Sequence, residues 1–336
     1  MVISEYTSNK IRVLSLMASF MVVMLHVFLR EPRTAGEMLY KIVVHDGLCS
    51  FAVPFFFVVS GFFFMNRYEP SVVWWACGVK KRIYSLIVPY FIWCGIALLE
   101  AYLLSNSKID VLHGFGITTI TPANPPMWYV KVLFVMALAF PLLKWIADRT
   151  RVLIVVVVAL IMALAFQIPA IITFGRAVIY FLFGIRISTN IDNWQWNADM
   201  RKKLFVIFMT IWIVYVMACV LVYVFTGYYW RRLWLYAPLV NIPMVWLGYD
   251  VAYIMSWFRK LVSNMFFLSL CKTSFFIYCS HYIIICWFSR GIRLATEPLA
   301  KLVFDGMLIF ASALITAVIF RRCLPKIYAV TTGGRV

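Results

Sequence analysis

Residues 204–225 read LFVIFMTIWIVYVMACVLVYVF, a run of 22 residues without a charged side chain. An α-helix rises about 1.5 Å per residue, so a run of this length spans the roughly 30 Å of hydrocarbon in a bilayer. Uninterrupted apolar stretches of this kind are typical of transmembrane helices. The segment therefore predicts that the chain is an integral membrane protein.

Nine further apolar runs repeat this pattern along the 336-residue chain. The ten predicted spans lie near 11–29, 48–65, 84–104, 127–146, 152–168, 170–187, 204–225, 235–257, 264–288 and 302–320. Hydrophobic residues make up 64% of the chain and charged residues 13%, whereas soluble domains have about half and about a quarter. We predict a single all-α domain over residues 1–336, a polytopic transmembrane helix bundle.

The formal charge of +18 indicates membrane orientation and not nucleic-acid binding, because the basic residues form short clusters between apolar runs. With a cytoplasmic N-terminus, 19 of the 31 Lys and Arg residues fall in inner segments, 9 in outer segments and three within spans. The positive-inside rule then places both termini in the cytoplasm. It also predicts that residues 106–126 face outward and 188–203 face the cytoplasm.

The cysteines predict neither a disulfide framework nor a metal site. All eight are scattered, mostly within apolar runs, and none has the spacing of metal ligands. The first apolar run is followed by Arg30, Glu31 and Pro32 and not by a small-residue cleavage site. We therefore expect a retained helix and not a signal peptide.

Three titratable residues fall at similar depth in outward-running spans. His26, His281 and Glu100 lie about 15, 17 and 16 residues into their spans, roughly 22–26 Å from the inner boundary. A histidine near a carboxylate can take a proton from a hydroxyl group, although a membrane histidine can also simply hold two helices together. His45 and His113 lie in predicted outer loops, where we expect them to be solvated.

Several other polar residues lie in or next to the spans, and most of them have both a functional and a structural interpretation. Arg176 stays charged, so it should face the bundle interior or a hydrated cavity, whereas Lys131 can extend towards the interface. Ser60 interrupts an aromatic run, where a small residue also permits close helix packing. A basic cluster precedes the third predicted span and indicates either phosphate binding or membrane topology; it consists of Lys80, Lys81 and Arg82.

Six segments, in this order along the chain, resemble the acyltransferase 3 family of membrane-bound bacterial O-acyltransferases. They are FMVVMLH at 20–26, VPFFFVVSGF at 53–62, KRIYSLIVPY at 81–90, MWYVKVL at 127–133, GRAVIYFLFG at 175–184 and TSFFIYCSH at 273–281. One position departs from the pattern. The family usually has an arginine eleven residues before the first histidine, where this chain has Ser15, and the nearest arginine is Arg12.

The resemblance implies transfer of an acyl group, most often acetyl, from cytoplasmic acyl-coenzyme A to a hydroxyl of a surface glycan or lipid-linked sugar. It also implies a location in the bacterial inner membrane. His26 would be the general base, and His281 a second base or an orienting partner. The candidates for coenzyme phosphates are Arg12, Lys80, Lys81 and Arg82, and those for the substrate path are Ser60, Glu100, Lys131 and Arg176.

Two other functions fit the same sequence. A transporter or flippase for a lipid-linked or small polar substrate would also have buried charges and broken helices. A non-catalytic sensor on the same bundle would account for Ser15 in place of arginine. The order of the six segments favours the acyltransferase.

Overall fold

The computed structural model describes residues 3–27, 32, 34–104, 121–165, 169–190, 197–229, 233–291 and 299–335. Every regular element in these ranges is helical. Some predictions fall outside them. These are residues 106–120 of the predicted outer loop, residues 191–196 of the predicted inner loop, and His113.

The helices of the first half of the chain are α1 (Glu5–Val27), α2 (Ala35–Tyr40), α3 (Ala52–Asn66), α4 (Val72–Arg82), α5 (Val88–Leu104), α6 (Trp128–Leu138), α7 (Phe140–Asp148), α8 (Thr150–Ala165) and α9 (Pro169–Asn190). Those of the second half are α10 (Ala198–Thr226), α11 (Leu233–Tyr253), α12 (Ser256–Val262), α13 (Met265–Cys271), α14 (Ser274–Gly291), α15 (Leu299–Cys323) and α16 (Pro325–Thr331). Two wider π-helical turns connect helices. Lys41–Leu48 follows α2 and leads towards α3, and Ile83–Ile87 connects α4 to α5.

The described residues contain five helical segments that are long and apolar enough to cross a membrane, and up to seven if each bent pair of helices is one span. The five are Glu5–Val27, Ala35–Asn66, Val72–Leu103, Ala198–Thr226 and Val303–Cys323. The bent pairs are Pro125–Leu138 with Phe140–Asp148, at 71°, and Met265–Cys271 with Ser274–Phe288, at 54°. The predicted all-helical, multi-pass architecture is confirmed, whereas the count of ten and the orientation of the termini stay predictions.

The basic cluster lies differently from its predicted position. A third span was predicted to begin near residue 84, after the cluster, but the helical segment already begins at Val72. Lys80, Lys81 and Arg82 therefore form the last turn of α4, inside a continuous 32-residue apolar segment.

The chain divides into two compact units. Unit A comprises Val2–Phe55 and Gln195–Thr316, and unit B comprises Phe56–Trp194 and Ala317–Val336. In unit A, the last two turns of α1 pack against α14 and α15 through a core with these buried members: Val23, Met24, Val27, Ile277, Ile285, Ile309 and Ala313. Gly306 lies against the Met24 side chain, and a Cβ added there would overlap the Met24 sulfur and require that side chain to move. This packing determines where α1 and α14 present their polar side chains.

The π-helical turn Lys41–Leu48 in unit A is held by side chains from two other helices. The indole Nε1 of Trp212 donates to the carbonyl oxygen of Gly47 at 2.9 Å, and Nδ2 of Asn241 donates to the same oxygen at 2.5 Å. Buried carbonyl groups need such donors, and a wide turn exposes them. Gly47 is required because a Cβ there would press against the Ile42 carbonyl oxygen.

In unit B, α3 and α9 cross at two glycines. A Cβ on Gly61 would overlap the main chain of Phe181, and a Cβ on Gly184 would overlap the carbonyl oxygen of Val58. The backbones therefore approach more closely than any side chain would permit, which is the usual role of small residues between membrane helices.

Candidate active site

His26 lies in the last turn of α1 and is partly buried. Its Nδ1 is 2.8 Å from the carbonyl oxygen of Val22, one turn earlier in the same helix. A carbonyl oxygen only accepts hydrogen bonds, so Nδ1 carries the hydrogen. The neutral ring therefore has its basic lone pair on Nε2.

His281 lies in α14 and is fully buried. Its Nδ1 is 2.7 Å from the carbonyl oxygen of Tyr278 and 3.2 Å from that of Ile277. Both partners are acceptors, so Nδ1 is again the protonated nitrogen and Nε2 the basic one. The helix thus selects the tautomer of this ring.

The two histidines contact each other within unit A. Nε2 of His281 is 3.4 Å from Nδ1 of His26, and the ring centroids are 5.0 Å apart at an interplanar angle of 61°. The hydrogen on Nδ1 of His26 is therefore shared between the Val22 carbonyl and the His281 lone pair. In this arrangement His281 can orient His26 and stabilise a positive charge on it, and the lone pair on Nε2 of His26 stays available to accept a proton.

A buried polar cluster that was not predicted borders His26. Asp46 is 2% exposed and lies 2.5 Å, through Oδ1, from Nδ1 of His45. Its Oδ2 accepts from the Tyr229 hydroxyl and lies 3.5 Å from Nζ of Lys41. Lys41, His45 and Asp46 are near one another in sequence, but Tyr229 is 183 residues from Asp46. The sequence therefore did not predict the cluster.

His45 is not the solvated loop residue that was predicted. It lies in the π-helical turn, and its Nε2 is 3.1 Å from the carbonyl oxygen of Leu25 in the last turn of α1. The two ring nitrogens of His45 thus face a carboxylate and a carbonyl oxygen. The ring therefore connects Asp46 to one of the terminal carbonyls of α1, next to His26.

The other end of α1 holds a second unpredicted cluster in unit A. Lys10 is 2% exposed, and its Nζ is 2.5 Å from Oδ1 of Asp250 and 4.0 Å from the centre of the Trp246 ring. The Tyr6 hydroxyl donates to the same carboxylate oxygen at 2.5 Å. Arg201 lies 3.8 Å from Oδ2. A cavity of about 450 Å³ opens beside Tyr6, Arg201 and Asp250.

Arg12 does not take part in that cluster. It is exposed, and its guanidinium donates to Oδ1 of Asn9 at 3.2 Å on its own helix. Ser15, at the family's arginine position, is partly buried. The buried cation near the start of α1 is therefore Lys10 and not Arg12.

The predicted donor and path residues other than Arg12 all lie in unit B. Ser60 is partly buried on α3, and its Oγ is 3.2 Å from the Tyr129 hydroxyl of α6. Arg82 is partly buried with its guanidinium 4.3 Å from the centre of the Phe64 ring. The remaining members are exposed Lys80 and Lys81, buried Glu100 on α5, partly buried Lys131 on α6 and partly buried Arg176 on α9. In unit B, the Ser60 hydroxyl is therefore hydrogen-bonded to the Tyr129 hydroxyl, and Arg82 is more buried than Lys80 and Lys81.

No group of three or more His, Cys, Asp or Glu residues in the described part of the chain is arranged to hold a metal ion. The fold and the site together define a multi-pass helical membrane protein with a pair of hydrogen-bonded histidines inside one helical unit. Such a pair is suited to moving a proton between a hydroxyl group and a leaving group.

A family model described as an acyltransferase domain matches residues 10–322, nearly the whole chain, and the chain belongs to that family. The resemblance predicted from the six segments is confirmed. A comparison with curated proteins found no match, and a comparison with solved structures found none.

Proposed function

We propose that this membrane acyltransferase is an O-acyltransferase that moves an acyl group, acetyl in the simplest case, from cytoplasmic acyl-coenzyme A to a hydroxyl of a surface glycan or lipid-linked sugar. The proposed location is the bacterial inner membrane. Family membership supports acyl transfer in general. The observation that carries the proposal is the contact between His26 and His281.

The tautomers give the two histidines different roles. Nε2 of His26 removes the proton of the acceptor hydroxyl while the oxygen attacks the thioester carbonyl carbon. The new C–O bond forms as the C–S bond breaks, and the proton passes from His26 to the departing sulfur. His281 accepts a hydrogen bond from Nδ1 of His26 and stabilises the transient imidazolium. His281 is therefore proposed as the orienting partner and not as a second base.

We assign the coenzyme phosphates to Lys80, Lys81 and Arg82 in unit B. A guanidinium can bind phosphate through two parallel hydrogen bonds, and contact with the Phe64 ring orients that of Arg82 in advance. Arg12 in unit A remains a separate candidate for the same chemistry. Its exposure supports contact with a soluble ligand and argues against a structural role.

The proposed substrate path in unit B consists of Ser60, Glu100, Lys131 and Arg176. The paired hydroxyls of Ser60 and Tyr129 can each donate or accept a hydrogen bond, as a sugar hydroxyl requires. Burial of Glu100 supports a role inside the helices and not at the lipid interface.

The decisive experiment replaces the base without removing its structural hydrogen bond. His26→Asn keeps an N–H donor near the position of Nδ1 and removes Nε2. We expect transfer of radiolabelled acetyl groups from acetyl-coenzyme A into extracted glycans to fall about 10²–10⁴-fold per folded molecule. His281→Ala should impair transfer as well, and the double variant should be no worse than His26→Asn, since residues that act as a unit are not additive.

Monodisperse elution in detergent provides the folding control for each variant. A well-folded His26→Asn protein with wild-type turnover would remove the catalytic assignment. Transfer that is absent even in the folded wild type would instead favour the transporter or sensor.

A further inference from the structure

The cavity of about 450 Å³ in unit A lies where α1 and α10 begin and α11 ends. Tyr6 of α1 and Arg201 of α10 line it, together with Asp250, Tyr253 and Ile254 in and just after the last turn of α11. Sites for small molecules usually have roughly 300–1,000 Å³. Three helices that are distant in sequence thus enclose a polar cavity of this size, which the proposed acyl transfer does not use.

The charges at the cavity favour an anionic ligand. Nζ of Lys10 lies 2.5 Å from Oδ1 of Asp250, so these two charges largely neutralise each other. Arg201 lies 3.8 Å from Oδ2 of Asp250, and a guanidinium group stays charged at every physiological pH. Two cations and one carboxylate leave an excess of one positive charge. A cationic ligand would meet a carboxylate that Lys10 already compensates.

The positive charge continues along the start of α10. Beyond Arg201, the first two turns of this helix contain two further cations and one acidic residue, which are Lys202, Lys203 and Asp199. All three are exposed. Clusters of basic residues at the ends of membrane helices attract anionic lipids.

Apolar side chains lie exposed beside the cavity. Ile254 forms part of its wall, and Met255 and Trp257 follow along the chain. All three are exposed, as lipid-facing side chains are, and tryptophan is enriched at membrane–water interfaces. A phosphate group bound in the cavity would therefore have an apolar surface next to it, which the acyl chains of a lipid can cover and a soluble phosphate ester cannot.

We propose that this cavity binds the phosphate group of an anionic phospholipid. The Arg201 guanidinium donates charge-assisted hydrogen bonds to the phosphate oxygens, and the Tyr253 hydroxyl is a second donor. The acyl chains lie against Ile254 and Met255. The phosphate chemistry is shared with soluble esters such as coenzyme A, and the exposed apolar side chains favour the lipid. A bound lipid joins three helix ends and therefore stabilises unit A.

The test measures binding to purified full-length protein in detergent by native mass spectrometry, together with the melting temperature. The probes are phosphatidylglycerol, which is anionic, phosphatidylcholine, which has no net charge, and coenzyme A, which is a soluble phosphate ester. Phosphatidylglycerol should raise the melting temperature of the wild type and bind more tightly than the other two probes. Arg201→Gln should weaken its binding about tenfold, because a charge-assisted hydrogen bond is lost.

Two further variants separate the cavity from the general charge of this surface. Lys203→Gln removes the same charge from an exposed position on the same helix that does not line the cavity, and it should change binding less than about twofold. Ala198→Trp keeps every charge and places a large side chain in the cavity, which Ala198 lines from an exposed position. It should weaken phosphatidylglycerol binding as Arg201→Gln does, without loss of folded protein.

Three results would contradict the proposal. If Arg201→Gln and Ala198→Trp bind phosphatidylglycerol like the wild type, or if Lys203→Gln loses as much binding as they do, the cavity is not the site. Equal binding of phosphatidylglycerol and phosphatidylcholine would overturn the preference for an anion. Tighter binding of coenzyme A than of phosphatidylglycerol, lost in Arg201→Gln and Ala198→Trp, would overturn the lipid as the ligand of this phosphate site.

Discussion

Replacement of Asp250 by asparagine is expected to destabilise unit A by about 3–5 kcal/mol, because it leaves the Lys10 charge buried without its counter-ion. The two side chains are 2% and 8% exposed, and Nζ lies 2.5 Å from Oδ1. Contact of Nζ with the Trp246 ring persists in the variant and does not offset the loss. Asparagine still accepts from Tyr6, so the change removes mainly the negative charge.

The magnitude depends on burial and not on the length of the ion pair. The pair of Lys144 and Asp148 has the same 2.5 Å separation, but its members are 20% and 42% exposed. Exposed pairs four residues apart on a helix contribute about 0.3–0.5 kcal/mol. Asp148→Asn is therefore the matched control, and the two variants should differ roughly tenfold in their effect on stability.

The measurement is the free energy of unfolding of purified protein in detergent micelles, from chemical denaturation followed by tryptophan fluorescence. The double variant Lys10→Met with Asp250→Asn should regain much of the stability that Asp250→Asn loses, since no buried charge remains. Equal effects of Asp250→Asn and Asp148→Asn would refute the argument, because burial would then contribute nothing to the pair.

Three further outcomes are expected. Gly61→Ala should destabilise unit B by about 1–3 kcal/mol in the same assay, because its Cβ meets the Phe181 main chain. The control Gly78→Ala, with nothing within 4 Å of the added Cβ, should be neutral or stabilising. Similar effects of the two variants would mean that α3 and α9 do not cross closely. Asp46→Asn should cost at least about 2 kcal/mol and lower acyl transfer, because His45 loses its carboxylate; unchanged melting and turnover would show that the cluster does not support His26. Single cysteines within 106–126 should react with an impermeant thiol reagent from outside and those within 188–203 should not, on a background without exposed native cysteines; outside labelling of 188–203 would reverse the predicted topology.

The histidine pair shows how far a sequence can predict a site. Counting residues from the start of two apolar runs placed His26 and His281 at similar depth, because the rise per residue of an α-helix is constant. The structure brings them to 3.4 Å. Their different roles depend on which carbonyl each Nδ1 contacts, and depth alone carries no information on that.

The clusters at the two ends of α1 mark the limit of such reasoning. Lys10 and Asp250 are 240 residues apart, and Asp46 and Tyr229 are 183 apart. Lys10, Asp46 and Tyr229 lie near the ends of predicted spans, where charged and polar residues are ordinary. Asp250 lies inside the predicted span 235–257, but no local pattern indicates that its partner is Lys10. His45 was predicted to be solvated because it lies between two predicted spans. No clear sequence signal indicated the π-helical turn between α2 and α3.

Helical class, membrane insertion and family follow from local properties of the chain. The length of the apolar runs, the uneven distribution of basic residues and the order of the motifs can all be seen in the sequence alone. This is sufficient for the helical class because each helix satisfies its own backbone hydrogen bonds in lipid. Which helices bend, which glycines permit a crossing and which charges meet depend on packing between distant segments. The hydrogen bond from Arg335 to the carbonyl oxygen of Ser85 is of this second kind, because it requires two glycines with positive φ, Gly333 and Gly334, to turn the segment after α16 back onto unit B.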